Sequence, residues 1–167
     1  MRRTVVTICA LLTLAACRGP EPIEPTPSPE PTGTTTAAPD PTVTEPTLPD
    51  QARRNTPEGA AAFVGYWVKT FNYAARTGDA TRLNAASSNC EPCSGYAEDF
   101  SSLAEDRRPS SDPWRIERVR VSTTRDPVEV FTRIRVLRSA GGTERFDLVF
   151  RLSANPQFKV TAIRGTG

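Results

Sequence analysis

Val128-Glu129-Val130-Phe131-Thr132-Arg133-Ile134-Arg135-Val136, then Ala140-Gly141-Gly142, then Phe146-Asp147-Leu148-Val149-Phe150-Arg151-Leu152, decide the fold. Val128, Val130, Thr132, Ile134 and Val136 alternate with polar or charged neighbours. Phe146, Leu148, Phe150 and Leu152 do the same. A period of two marks strands with one face toward a core, and the glycine pair between them marks a hairpin. Upstream, Trp114 and Ile116 are in one phase and Val119 and Val121 in the other. A bulge near Glu117-Arg118 reconciles them within one strand from Trp114 to Ser122. Downstream, Asn155-Pro156 turns the chain, and Phe158, Val160 and Ala162 read as the inward residues of a fourth strand.

Before the strands the period is helical. Thr56-Pro57-Glu58 supplies a capping hydroxyl, a proline at the first helical position and an acid in the first turn. Ala60, Phe63, Val64, Trp67, Val68, Phe71 and Ala75 then recur at spacings of three and four. Gly78 stops this helix and Asp79 caps a short one over 80–86, with Leu83 inward. A third runs from about Pro92 to Glu105, with Cys93, Tyr96, Phe100 and Leu103 on one face. Helices first and a meander after them specify an α+β domain, with helices on one face of an antiparallel four-stranded sheet. Helices followed by a bent meander resemble the nuclear transport factor 2-like, or cystatin-like, cone. That resemblance implies a curved sheet around a long helix and a pocket at the open end.

The other parts of the 167-residue chain have a different composition. Arg2 and Arg3 precede a short apolar run, Val5 to Leu14, about half of a membrane span. It ends in Leu14-Ala15-Ala16-Cys17, which resembles the lipobox of bacterial lipoproteins. The resemblance implies that residues 1–16 are a signal peptide and that Cys17 receives a diacylglyceryl thioether. Residues 17–55 read as the lipidated cysteine and a disordered Pro/Thr/Glu-rich stalk, and 56–167 as the domain. Residues 18–50 hold ten of the 16 prolines and eight threonines, and six acids against Arg18 alone, so the segment is net −5. Such a composition buries no core. As polyproline II it spans roughly 100 Å at about 3.1 Å per residue. Residues 51–167 hold 18 bases and 13 acids, net +5, so charge is segregated along the chain.

These features exclude several functions. Histidine is absent, which removes a Ser-His-Asp triad, a Cys-His dyad and any histidine-bound metal. The net charge of +2 does not point to nucleic acid. No motif supports catalysis, a cofactor or a metal. Of four cysteines, Cys9 lies in the signal and Cys17 at the lipobox, leaving Cys90 and Cys93. In an oxidising compartment this pair reads as a disulfide clipping the second helix to the third. The other reading is a thiol-disulfide exchange site, since two cysteines two residues apart at a helix start are the redox arrangement. Zinc lacks a third ligand. Tyr66, Asn72, Tyr73, Asp79, Tyr96 and Asp99 are the polar groups open to a small-ligand pocket, though none stands in a recognisable acid–base pair.

If the even positions of the second and third strands face the core, Arg133, Arg135, Arg145 and Arg151 point outward. Arg118 and Arg120 join them beyond the bulge. This is a basic sheet face, suited to anionic lipid headgroups or an anionic wall polymer. Asp147, Glu117, Glu129 and Glu144 are interspersed, so a merely solvated face is the plain alternative.

Pro57-Glu58-Gly59-Ala60, Phe63-Val64-x-Tyr66-Trp67-Val68, Asn72-Tyr73-Ala74, Thr77-Gly78-Asp79 and Cys90-x-x-Cys93 together resemble a family of actinobacterial lipoproteins whose domain has no assigned activity. The resemblance covers roughly residues 55–165. It implies the fold and the location, a lipid-anchored protein on the extracytoplasmic face of the cell membrane, and carries no activity. With no catalytic motif in the chain, the domain reads as a binding or interaction module for a protein partner or an anionic surface.

Overall fold

The computed structural model describes residues 43–123, 126–138, 141–154 and 156–166. The expected signal peptide, Cys9, Cys17 and most of the expected stalk lie outside these residues. Among the described residues three α-helices, α1 (Pro57–Thr77), α2 (Thr81–Ala85) and α3 (Glu91–Ser102), precede four strands. These are β1 (Trp114–Thr123), β2 (Val128–Leu137), β3 (Thr143–Ser153) and β4 (Lys159–Gly165). The sheet is an antiparallel meander in the order β1-β2-β3-β4. The α+β architecture is therefore the expected one.

Local chemistry sets the ends of α1. The Thr56 hydroxyl accepts the Gly59 N–H at 3.1 Å, leaving one fewer unpaired donor in the first turn. At the other end Gly78 adopts a φ of 78° and its N–H donates to Ala74 O at 2.8 Å. The Asp79 carboxylate accepts the Thr81 N–H at 2.9 Å, which starts α2. α3 stops at Ser102, short of the expected Glu105. Leu103 turns extended there, and the Ser101 and Ser102 hydroxyls donate back to Ala97 O and Asp99 O.

The apolar stripe of α1 lies across β1 and β2. Trp67 is fully buried and centres an aromatic cluster, 5.4 Å from Phe150 and 5.7 Å from Phe71 between ring centroids. Phe71 in turn stacks on Trp114 at 4.1 Å and meets Phe100 edge-on at 4.9 Å. Val130, Ile134, Phe150, Leu152 and Val160 close the core from the sheet. The indole N–H of Trp67 donates to Ser87 Oγ at 2.9 Å, so this buried donor is satisfied.

The bulge expected near residues 117–118 is present. Ile116 pairs with Ile134 and Arg118 with Arg133, which leaves Glu117 as the extra residue. Two expectations are corrected. Ala162 does not continue the inward phase of Phe158 and Val160. Leu152 pairs with Val160 and Arg151 with Ala162, so Thr161 is a bulge in β4 and Ile163 packs against the core. A larger apolar side chain takes the buried place. The stalk also does not extend to residue 55. From Val43 the chain is placed against the domain, with a 3-10 turn over Asp50–Arg53, Ala52 buried, Leu48 on the core and Glu45 paired with Arg82. Arg54 O comes so close to Gly59 that a Cβ there would lie 1.9 Å from it, which only glycine permits.

Candidate functional site

The register of the meander builds the outer face. Arg133 lies opposite Asp147, Glu129 opposite Arg151, and Arg135 opposite Arg145. Two like charges directly opposite repel, and the bulge answers this. Glu117 stands between them, 2.9 Å from Arg145 and 3.7 Å from Arg135. Arg133 forms a fork with Asp147, both bonds at 2.7 Å. Arg151 Nε lies 3.3 Å from Glu129. The fork lowers the Asp147 carboxyl below its ordinary value and raises the Arg133 guanidinium above its own, in each case mainly through the side-chain hydrogen bonds.

Arg133, Arg135, Arg145 and Arg151 thus share one sheet face, and each has a carboxylate beside it. The positive surplus of that face sits elsewhere. Arg115, Arg118, Arg120 and Arg164 are exposed and have no ion-pair partner among the described residues. Arg120 lies over the Phe131 ring, 5.8 Å from its centroid. Arg118, Arg120, Phe131, Arg133, Asp147 and Thr166 line one hollow of about 550 Å³. Alternation points to Arg118 and Arg120 once the bulge is placed, but does not show that the other four are already partnered.

The cysteine pair sits at the start of α3. The sulfurs of Cys90 and Cys93 are 2.01 Å apart, a disulfide distance. The residues are only 3% and 1% exposed. Attack by an external thiolate needs an accessible sulfur, so burial favours the clip over exchange. The loop just before the pair docks on β4: Val160 N–H donates to Ala86 O and Ser88 N–H to Val160 O.

The polar groups considered for a pocket do not converge. The Asn72 carboxamide is committed to the backbone, its Nδ2 donating to Trp114 O at 2.8 Å and its Oδ1 accepting from Trp114 N at 3.0 Å. Tyr66 is buried beside Arg82 and Glu45, and burial raises its phenol above the ordinary value. Asp79 and Asp99 are exposed and Tyr73 is half-buried. A cleft of about 340 Å³ remains between α3 and the sheet, lined mainly by Tyr96, Trp114, Val136, Phe146, Leu148 and Ile163. Burial raises the Tyr96 phenol too, with the Asp99 charge adding to it. Arg138 at the cleft is paired with Glu144, and the lining holds no carboxylate or second phenol to work with Tyr96.

No curated protein and no solved structure gives a significant match to the chain. One family does match, over residues 32–130, a stretch that contains all three helices, the cysteine pair, β1 and the first residues of β2. That is more than half of the chain, and the chain belongs to this family of unknown function, DUF6318.

Proposed function

We propose that this is a lipid-anchored actinobacterial envelope protein, held through Cys17 on the extracytoplasmic face of the membrane, whose domain is a binding module for anionic lipid headgroups. The carrying observation is the outer sheet face, where Arg118 and Arg120, in no ion pair among the described residues, line one hollow whose carboxylate, Asp147, is already taken by Arg133. A tethered domain meets the membrane at high effective concentration, so headgroups are the anion most available to this face. We read the fold as a nuclear transport factor 2-like cone. The bulge at Glu117 and the long α1 across the sheet support that reading. The domain acts by binding, without catalysis.

The test uses the chain from residue 18 onward, which keeps every described residue and lacks acyl chains. It should sediment with vesicles containing phosphatidylglycerol and leave them in about 1 M salt, where the Debye length is about 3 Å. Arg118→Glu with Arg120→Glu should weaken binding by at least about thirtyfold, at roughly 1 kcal/mol per base near the surface. Equal binding to pure phosphatidylcholine rejects the reading. Binding to wall polymer but to no vesicle reassigns the face to that polymer. For the anchor, the intact mass of membrane-extracted protein should show acyl chains on Cys17, and Cys17→Ser should release the protein.

A further inference from the structure

The two edges of the sheet are finished differently. At β4 the segment before α3 adds itself to the edge. Val160 N–H donates to Ala86 O at 3.0 Å, Ser88 N–H donates to Val160 O at 2.9 Å, and the Lys159 ammonium donates to Ala85 O. Ser87 bridges Val160 in parallel. β1 forms the opposite edge, and no described segment pairs with its outer side. Only its first residue is served there. The Asn72 carboxamide takes the N–H and C=O of Trp114, as a neighbouring strand would. From Ile116 onward, β1 has backbone pairing to β2 alone.

A groove of about 670 Å³ runs beside this edge. Gly65, Lys69 and Arg76 of α1 line one side of it, and Arg115 and Ile116 of β1 the other. Asp112 is the only acid in its lining and is shared with Arg76 at 3.4 Å. The Nε of Arg76 is buried without an acceptor. Farther along the strand, Arg118 and Arg120 continue the row of bases. An open edge invites pairing, and charges and bulges restrain it. Here Asp112 and Glu117 are already paired with arginines, and the charges left without a partner are of one sign. They repel a second copy brought edge to edge, and they attract an acidic strand.

We propose that the open edge of β1 is a docking site for an acidic extended peptide, which adds as a fifth strand with its carboxylates facing Lys69 and Arg115, the bases that line the groove. Main-chain bonds to β1 supply affinity, and the bases select the partner's charge. This site is separate from the headgroup reading, because it uses the strand edge and the groove beside α1.

The probe is a labelled ten-residue peptide of alternating Glu and Val, followed by fluorescence anisotropy with the chain from residue 18 onward. Two control peptides keep the same length, one with Lys for Glu and one N-methylated at every second amide. A Gly65→Gln variant tests the groove. A Cβ at Gly65 meets nothing within 4 Å, so the fold accepts the side chain while the groove loses space. Glutamine is also the better helix former, so the melting temperature should hold or rise. The acidic peptide should bind. Each control peptide, and Gly65→Gln, should weaken binding by at least about tenfold, the loss expected from one or two main-chain bonds. Vesicle binding by Gly65→Gln should stay unchanged. No binding of the acidic peptide overturns the proposal. So does equal binding of the N-methylated peptide, which would mean charge attraction alone, or binding indifferent to Gly65→Gln. A dimer in sedimentation that excludes the peptide would give the edge to a second copy and equally overturn it.

Discussion

β2 carries the two faces of the sheet on alternate residues, and they obey different rules. Val128, Val130, Thr132 and Ile134 are buried against α1 and its neighbours, while Glu129, Phe131, Arg133 and Arg135 look outward. On the inner face each large apolar side chain contributes about 1.5–3 kcal/mol by leaving water. On the outer face the charges are exposed or half-exposed, and such pairs contribute little to stability. Stability therefore resides on one side of the sheet. The other side is free to carry charges that serve an interaction. The sharpest way to break this comparison is at its centre. Trp67→Ala should cost about 3–5 kcal/mol in urea unfolding, a large part of a small domain's stability. Arg120→Ala on the outer face should barely move the midpoint. Similar losses at both positions would mean that the faces are not divided in this way.

The second prediction concerns the joint between helix and sheet. Asn72→Leu keeps the bulk but leaves the buried N–H and C=O of Trp114 without partners. Two such groups at about 1–3 kcal/mol each put the loss near 2–6 kcal/mol. The Trp114 amide should also exchange hydrogen faster than those at the centre of β2. Unchanged protection at Trp114 would show that water replaces the carboxamide.

The disulfide is expected to matter less. Its loop is very short, so replacing Cys90 and Cys93 by serine should cost at most about 2 kcal/mol and leave the fold intact. The local effect should be larger than the global one. The Val160 amide, bonded to Ala86 O, should lose protection, while Val130 should not. Ready reduction of the native pair by glutathione, with a reactive Cys90, would promote thiol exchange instead.

Alternation and helical spacing were enough to read the helices, the hairpin and the bulge at Glu117 from the sequence. Each is a local pattern with many apolar markers. The bulge at Thr161 was hidden because Val160-Thr161-Ala162-Ile163 offers apolar residues in both phases. The placed segment from Val43 was hidden by its prolines. Only Leu48 and Ala52 join the core there, and its turn rests on backbone bonds such as Ala52 N–H to Pro49 O. At the candidate site, the outward direction of Arg133, Arg135, Arg145 and Arg151 was legible. Their partners were not, because those depend on which residue of the next strand lies opposite. Asn72 stood out as polar on an apolar helix, but its partner Trp114 is 42 residues away. A meander places β1 at one edge, but that this edge stays open while β4 is covered could not be read, since the covering segment, residues 86–88, lies far from Val160 in sequence.

The smallest expected effect tests the outer face by pH. Asp147 has its folded pKa lowered by the Arg133 fork, so its pairing stabilises the domain above the unfolded carboxyl value of about 3.9. The contribution falls away as pH drops through the lower folded value. Asp147→Asn should therefore melt slightly below the parent at pH 7, and the two melting curves should converge in acid. Both partners are exposed, so the gap should be small and should shrink with salt. The same substitution removes a carboxylate from the hollow that holds Arg118 and Arg120. Binding to phosphatidylglycerol vesicles should then rise while stability falls. If both fall together, Asp147 acts by orienting Arg133 for the ligand, and the fork belongs to the binding surface itself.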